Sequence, residues 1–319
     1  MIVEEILEKN DDRLMKSLTG VAVDEFKKLV KDIEKAIEEE KQRQYEDGLK
    51  NGTRKRKPGG GRKGKLKTVS EQLFLVLVYL KNYPIFDVLA FTFDMNRSNA
   101  CRNIHKLIPL LEIALENAAV MPIRKIRNIN ELFKTFPEIS DFFIDGTERP
   151  VQRSKNNDEQ KEDYSGKKKK HTKKNTIIAK ENKEIIYLGI TVGGSVHDYR
   201  LFKEESPPNK ESPKPTIVIL STPDGPRIWV DLGYFGMEND YPELNVMIPI
   251  KKSKGCELSA DEKVINRLIS SVRVVVENAI CGIKRFRIVT DTFRNKTKGL
   301  CDQVMGLACG LWNYHIVYG

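Results

Sequence analysis

Apolar positions recur at helical spacing through the first third of the chain and give way to alternating and β-branched runs after Ile139. Residues 1–53 read as helices, with Glu and Lys at i,i+4 spacing over 25–41 forming a solvated, ion-paired face. Thr68-Val69-Ser70-Glu71 has the capping-box pattern, and Leu73, Phe74, Val76, Leu77 and Leu80 then repeat as one helix face. Pro84 stops that helix, residues 85–93 predict a short second one, and Asp94-Met95-Asn96 predicts a turn with Asn96 as N-cap. A third helix is expected over 97–115, with Cys101, Ile104, Leu107, Ile108 and Leu111 inward. Its first turns expose Arg97, Ser98, Asn99, Arg102 and Asn103 where a recognition helix meets the major groove. The pattern favours a helix-turn-helix over the alternative, an ordinary three-helix packing unit.

Further on, 142–148 predicts a strand running into Asp145 and then a turn at Gly146. Residues 155–174 are a charged excursion, and 175–180 and 184–192 form a hairpin joined at 181–183. Gly193-Gly194-Ser195-Val196 turns the chain, His197 begins a short helix, and Pro and Ser make 206–215 a loop. Strands are expected at 217–220, 228–231 and 246–250. Ser259-Ala260-Asp261-Glu262 is a second capping box, opening helical sequence to about Arg285 with a break near Ser270. An apolar helix over 296–317 is expected to cover the sheet. Strands followed by long helices indicate an α+β or mixed α/β fold. The division expected is a helical region (1–53), a basic linker (54–67), a helix-turn-helix (68–120) and a catalytic domain (121–319).

Charge adds a partner to this outline. The 319 residues carry a net charge of +10, and such a chain is drawn to polyanions. The linker, rich in Gly, Lys and Arg, supplies sequence-independent phosphate contacts. No apolar run approaches the roughly 20 residues of a bilayer span, so no membrane partner is expected. The N-terminal residues lack the basic and apolar regions of a signal peptide. Five scattered cysteines without CxxC spacing argue against a disulfide framework or a zinc site and fit a reducing cytoplasm.

The candidate chemistry lies in carboxylates. An Asp closing a buried strand either starts a turn or is a metal ligand held at a rigid position. The pattern occurs at Phe142-Phe143-Ile144-Asp145-Gly146 and again at Ile228-Trp229-Val230-Asp231-Leu232-Gly233. Glu277 follows on a helix whose apolar stripe is Val272, Val275, Val276, Ala279, Ile283 and Phe286. Glu277 either joins the two aspartates or pairs with Arg273, one turn before it. Hard oxygen ligands suit Mg²⁺ or Mn²⁺. Two such ions about 4 Å apart can activate the attacking oxygen and stabilise the leaving oxygen of a phosphodiester. Asp145 is expected to bridge both ions, with Asp231 and Glu277 each favouring one. Asp224, Asp240 and Asp291 are weaker candidates, while His197 and Asp198, directly after a Gly-Gly turn, either cap a helix or line the site. Lys167, Lys168, Lys169, Lys170, Lys173, Lys174, Arg273, Lys284, Arg285 and Arg287 are expected to hold DNA backbone. No P-loop, nucleophile elbow or HExxH is present.

Taken in order, several segments resemble DDE-superfamily transposases of the insertion-sequence-five type, related to Harbinger transposases. They are Lys57-Pro-Gly-Gly-Gly-Arg-Lys-Gly-Lys, Asn96-Arg-Ser-Asn-Ala-Cys-Arg-Asn-Ile-His and Ile144-Asp-Gly-Thr-Glu-Arg-Pro, followed by Tyr164-Ser-Gly-Lys-Lys-Lys-Lys-His-Thr, Gly194-Ser-Val-His-Asp-Tyr, Val230-Asp-Leu-Gly-Tyr and Arg273-Val-Val-Val-Glu-Asn. The resemblance implies an RNase H-like catalytic domain after a helix-turn-helix, and it carries the family's triad onto Asp145, Asp231 and Glu277. It implies binding of terminal inverted repeats, metal-dependent strand cleavage, 3′-hydroxyl strand transfer and a homo-oligomeric synaptic complex in the cytoplasm, associated with the nucleoid. A domesticated, non-catalytic DNA-binding protein and a nuclease that cuts without joining remain open as alternatives.

Overall fold

The structure is a computed structural model that describes residues 2–57, 64–208 and 225–319. Three helices open the chain, α1 (Ile2–Lys9), α2 (Asp12–Thr19) and α3 (Val23–Lys50), followed by α4 (Val69–Asn82), α5 (Phe86–Thr92) and α6 (Arg97–Asn117). Next come α7 (Ile129–Thr135), β1 (Asp141–Pro150), α8 (Asn157–Asp163), β2 (Tyr164–Ser165), β3 (Lys170–Lys180), β4 (Ile185–Leu188), β5 (Val192–Gly193) and α9 (Asp198–Glu205). The remainder is β6 (Arg227–Trp229), α10 (Met237–Asp240), β7 (Asn245–Met247), α11 (Ala260–Lys284), α12 (Arg287–Thr290) and α13 (Leu300–Tyr318). The strand expected at 217–220, much of the loop over 206–215, and the centre of the basic linker lie outside the described residues.

The chain forms two compact units. The helical unit holds residues 1–121 together with 284–291 and 297–319. Thr68 caps α4 by accepting the Glu71 N–H at 3.1 Å, while a Glu71 carboxylate oxygen accepts the Thr68 N–H at 3.2 Å. Leu73, Phe74, Val76, Leu77 and Leu80 are all buried, as the spacing predicts. Tyr83 ends α4 in the left-handed region at φ +45°, and Pro84 follows. Asn96 stands at the N-cap of α6 without a side-chain capping bond. The helix over 296–317 is present as α13, but it packs on α3, α6 and α12 of the helical unit. The partner expected for it is the sheet; the partners found lie in its own unit, where its buried residues, among them Val304, Leu307, Leu311 and Tyr314, fill the helical core.

The second unit holds residues 122–283 and 292–296. Its mixed sheet has the order β2-β3-β1-β6-β7, with β4 and β5 also pairing to β3. β1 is antiparallel to β3 and parallel to β6, and β6 is parallel to β7. This is the mixed α/β class expected. Phe142, Ile144, Ile178, Phe202, Ile228, Val230, Tyr234 and Met237 form its core. Two details differ from the pattern reading. β1 does not turn at Gly146 but continues to Pro150, because its antiparallel register with β3 runs from Phe142↔Lys180 to Pro150↔Thr172. α11 is unbroken at Ser270; the Ser259–Glu262 capping box starts it, and it runs on to Lys284. Among the described residues no helix is long and apolar enough to cross a membrane.

Candidate active site and nucleic-acid interface

The parallel pairing of β1 with β6 ends at Phe143↔Trp229, whose rings stack 6.3 Å apart. Asp145 and Asp231 each lie two residues beyond that pair. Side chains alternate along a strand, so both carboxylates fall on the face of Phe143 and Trp229, opposite the core face of Ile144 and Val230. The carboxyl ends of parallel strands are where open α/β sheets bind ligands. Asp145 is therefore a mid-strand residue just past the end of the β1–β6 pairing, rather than the last residue of a strand.

Asp145 is mostly buried. Its Oδ1 accepts the Gly146 N–H at 2.7 Å, and its Oδ2 lies 3.6 Å from the Arg273 guanidinium on α11. Burial pushes its pKa up to about 6; Arg273 opposes the shift, while the neighbouring charges of Asp231 and Asp198 add to it. Asp231 accepts the Gly233 N–H at 2.8 Å and so caps the short 3-10 turn Leu232–Tyr234. Tyr234 is fully buried, and burial followed by the fields of Asp145, Asp198 and Asp231 raises its pKa well above the usual tyrosine value.

Asp198 is the first residue of α9, yet its carboxylate does not cap that helix. A Cβ placed on Gly146 would lie 2.5 Å from the Asp198 Oδ1, so Asp198 rests directly against the strand on the face of Ile144, opposite the Asp145 side chain. Lys174 Nζ sits 2.8 Å from the Asp198 Oδ1 and 3.5 Å from Glu148, and it also donates to the Val196 carbonyl at 2.7 Å. His197 is exposed and precedes α9 without a capping bond. The charges of Asp145, Asp198 and Asp231 all reach the buried Tyr234. Glu277 is exposed, and among the described residues no three His, Cys, Asp or Glu side chains converge as a metal-binding group. The donor set still fits a hard divalent cation: Asp145 and Asp231 offer carboxylate oxygens on one face. Asp145 also shares its neighbourhood with two further negative charges.

Sequence reasoning does not identify Lys174 as a partner of Asp198, nor Tyr234 as a buried ring within the field of the aspartates. Among the residues expected to touch DNA, three prove to have other surroundings. Lys174 is only 6% exposed and is engaged by Asp198 and Glu148. Arg273 is 11% exposed and faces Asp145. Arg285 packs in the helical unit, its guanidinium 5.3 Å from the Phe286 ring and 5.4 Å from the Trp312 ring. In each case a partner distant in sequence takes the charge or the stem away from the surface. Lys167, Lys168, Lys169 and Lys170 are exposed around the turn between β2 and β3, whereas Lys173 pairs with Asp163 at 2.7 Å. Lys284 and Arg287 are exposed, the latter 3.0 Å from Asp291. On α6, Arg97, Ser98, Asn99 and Arg102 are exposed and Asn103 is half-buried. Arg102 donates to the Asn99 side chain at 2.8 Å, and Arg97 lies 3.5 Å from Asp87.

Comparison with known proteins agrees with this layout. Residues 144–313 match the family described as DDE superfamily endonuclease, and residues 64–117 match the helix-turn-helix of DDE superfamily endonuclease. The second match spans α4 to α6. The chain is 29% identical over 307 residues to a probable transposase for insertion sequence element IS702 from Microchaete diplosiphon, covering 95% of each chain. No solved structure matches. The superfamily implies use of a divalent metal. The match from Ile144 onward takes in both aspartates and Glu277, and with it the chain belongs to the DDE superfamily of endonucleases, with an N-terminal helix-turn-helix.

Proposed function

We propose that this protein is the transposase of an insertion sequence, which binds the terminal inverted repeats of its element, cleaves there and transfers the freed 3′-hydroxyl to target DNA. The observation that carries the reading is the pair Asp145 and Asp231 on one face at the carboxyl ends of parallel strands, with Asp145 pushed up to about 6 by burial and its acidic neighbours. Asp145, Asp231 and Glu277 would hold Mg²⁺ or Mn²⁺, two ions in all. Bound there, the metal supplies activation of the attacking oxygen and stabilisation of the leaving one.

The chain's own residues set up that chemistry. Arg273 balances part of the Asp145 charge, and Lys174 holds Asp198 against Gly146 on the other face of the strand. Asp198 lines the site, with His197 at its rim. The helical module over 68–120 reads the element ends through Arg97, Ser98, Asn99, Arg102 and Asn103, and the catalytic region follows it. Lys167, Lys168, Lys169 and Lys170, joined by Lys173, Lys284 and Arg287, grip backbone phosphates, an interaction that steers without reading sequence. Two ends are handled together, so the working form is a homo-oligomer on DNA in the cytoplasm.

The test compares wild type with Asp145→Ala on a labelled duplex carrying the element ends, in Mg²⁺, Mn²⁺ or EDTA, with a second duplex as target. Metal-dependent cutting and joining at the element boundary, lost in the variant while end binding persists, is the expected outcome. Cutting without joining would leave a nuclease. End binding with no cutting in any metal would leave a DNA-binding protein.

A further inference from the structure

The helical unit contains a cavity of about 350 Å³ lined by Lys16, Gly20, Ala22, Lys81, Arg285 and His315. Four of its six lining residues are basic, and they fall into two pairs. Lys16 lies 2.6 Å from Asp12, and His315 Nδ1 lies 2.6 Å from Glu25, so each has an acidic neighbour. Lys81 and Arg285 make no ion pair with a carboxylate among the described residues. Lys81 donates instead to the backbone carbonyl of Arg285 at 2.9 Å, which sets two cations side by side. Glu25 is the acid whose field reaches Arg285, and its oxygens are already engaged by His315 and by the Ala22 N–H at 3.1 Å.

The surroundings of Arg285 define what is missing. Phe286 and Trp312 lie against its guanidinium. Its Nε and Nη2 are buried and have no acceptor within the described residues. A guanidinium held by rings keeps its edge donors for a planar or tetrahedral oxyanion, often through two parallel hydrogen bonds. Leaving those donors unmatched in a buried place is costly. Burial lowers the pKa of both Arg285 and Lys81, and the charge of Arg285 adds to the effect on Lys81, as expected where positive charge lacks a counterion. Gly20 completes the wall: its φ is +82°, and a Cβ there would approach the Phe286 ring to 2.8 Å, so a larger residue would be strained as well as crowded.

We propose that this cavity is a phosphate-binding site, in which the Arg285 edge and the Lys81 ammonium together take the oxygens of one phosphoryl group. The phosphoryl group comes either from a free phosphate or from the backbone of bound DNA. The site lies wholly in the helical unit and is independent of the carboxylate chemistry.

The experiment uses the full chain. Its thermal midpoint is followed with increasing inorganic phosphate against sodium chloride at equal ionic strength. In parallel, duplex affinity is measured across salt concentrations for wild type, Lys81→Met and Arg285→Gln. A saturable phosphate-specific rise in the midpoint, weakened about tenfold or more in affinity by Lys81→Met, identifies a site for free phosphate. No phosphate response, but a salt slope of duplex binding lowered by about 1 in either variant, identifies a backbone phosphate as the occupant. Arg285→Gln removes both the charge and the fork, so it reports on both arms should Lys81→Met fail to fold. A midpoint that moves no more with phosphate than with chloride, together with an unchanged salt slope in the folded variants, overturns the proposal.

Discussion

Gly146→Ala tests the arrangement of the acidic face with a single methyl group. Gly146 is paired in β1 opposite Thr176 and does not have a positive φ, so the substitution introduces no backbone strain. In an ordinary strand the change would be neutral or mildly stabilising, because Ala has less unfolded-state freedom to lose. Here the new Cβ would stand 2.5 Å from the Asp198 Oδ1 and 2.9 Å from its Cγ, where ordinary contact begins at 3.4 Å. The carboxylate must therefore retreat by about 0.9 Å (3.4 − 2.5), and overpacking of this kind costs about 1–3 kcal/mol. The retreat also stretches the Asp198–Lys174 pair, which is 2.8 Å long between side chains 17% and 6% exposed. Losing a buried pair outright costs about 3–5 kcal/mol, but Lys174 keeps the Val196 carbonyl and Glu148, so only a fraction applies. The expected total is about 2–3 kcal/mol, read from urea unfolding of the metal-free protein. In an Asp198→Ala background the obstacle is gone and the same substitution should cost less than about 1 kcal/mol, a coupling of at least about 1 kcal/mol. Equal costs in the two backgrounds, or stabilisation of the wild type by Gly146→Ala, would refute the placement of Asp198 against Gly146.

Glu205 is buried against the Ile190 N–H at 2.8 Å, and burial pushes its pKa up to about 7 from 4.5. A folded pKa above the unfolded value gives stability that is present below about pH 4.5 and lost as pH rises through about 7. Glu205→Gln should therefore be more stable than wild type at pH 8, by up to roughly 3 kcal/mol, with the gap closing near pH 4.5 in chemical unfolding. Thr68→Ala removes one half of the capping box on α4 and should lower stability by about 1 kcal/mol in the same assay; no change would mean the cap is redundant. Replacing Lys167, Lys168 and Lys169 together with Ala should leave the fold intact and weaken duplex binding, with the salt slope falling by up to about 3. An unaltered slope would remove that turn from the DNA path.

Local signals were the most legible part of the sequence. Both capping boxes, at Thr68–Glu71 and Ser259–Glu262, form as the residue types require, because each depends on groups within four positions of one another. Asp145 and Asp231 were legible as a recurring pattern of apolar strand, carboxylate and glycine. The continuation of β1 was not, since Gly146 reads as a turn until the β3 ladder overrides it. Lys174, Arg273 and Arg285 were read as surface charges for a related reason. Their partners lie 24, 128 and 27 positions away, at Asp198, Asp145 and Trp312, and only the fold brings them together. The helix α13 shows the same limit: its apolar stripe required a partner, but the stripe alone could not say whether that partner was the sheet or α3 and α6.

The position of Glu277 follows from charge balance once Arg273 is taken into account. Asp145 feels the negative charges of Asp231 and Asp198, and Arg273 offsets only part of them, while Lys174 pairs with Asp198. Bringing a further carboxylate to this face with no added cation would raise the repulsion on Asp145, whose pKa is already pushed up. An exposed Glu277 is thus the lower-energy arrangement while Arg273 serves as the cation of Asp145. The two residues are four apart on α11, which places them on neighbouring turns of one face, about 6 Å along the axis. A divalent cation at Asp145 and Asp231 would compete with Arg273 for the same carboxylate oxygens. The same helix face then offers Glu277 as replacement charge balance, and because that side chain is exposed, it gives up solvent rather than packing. On this reading, an exposed Glu277 fits the charge state in which Arg273 is the cation of Asp145.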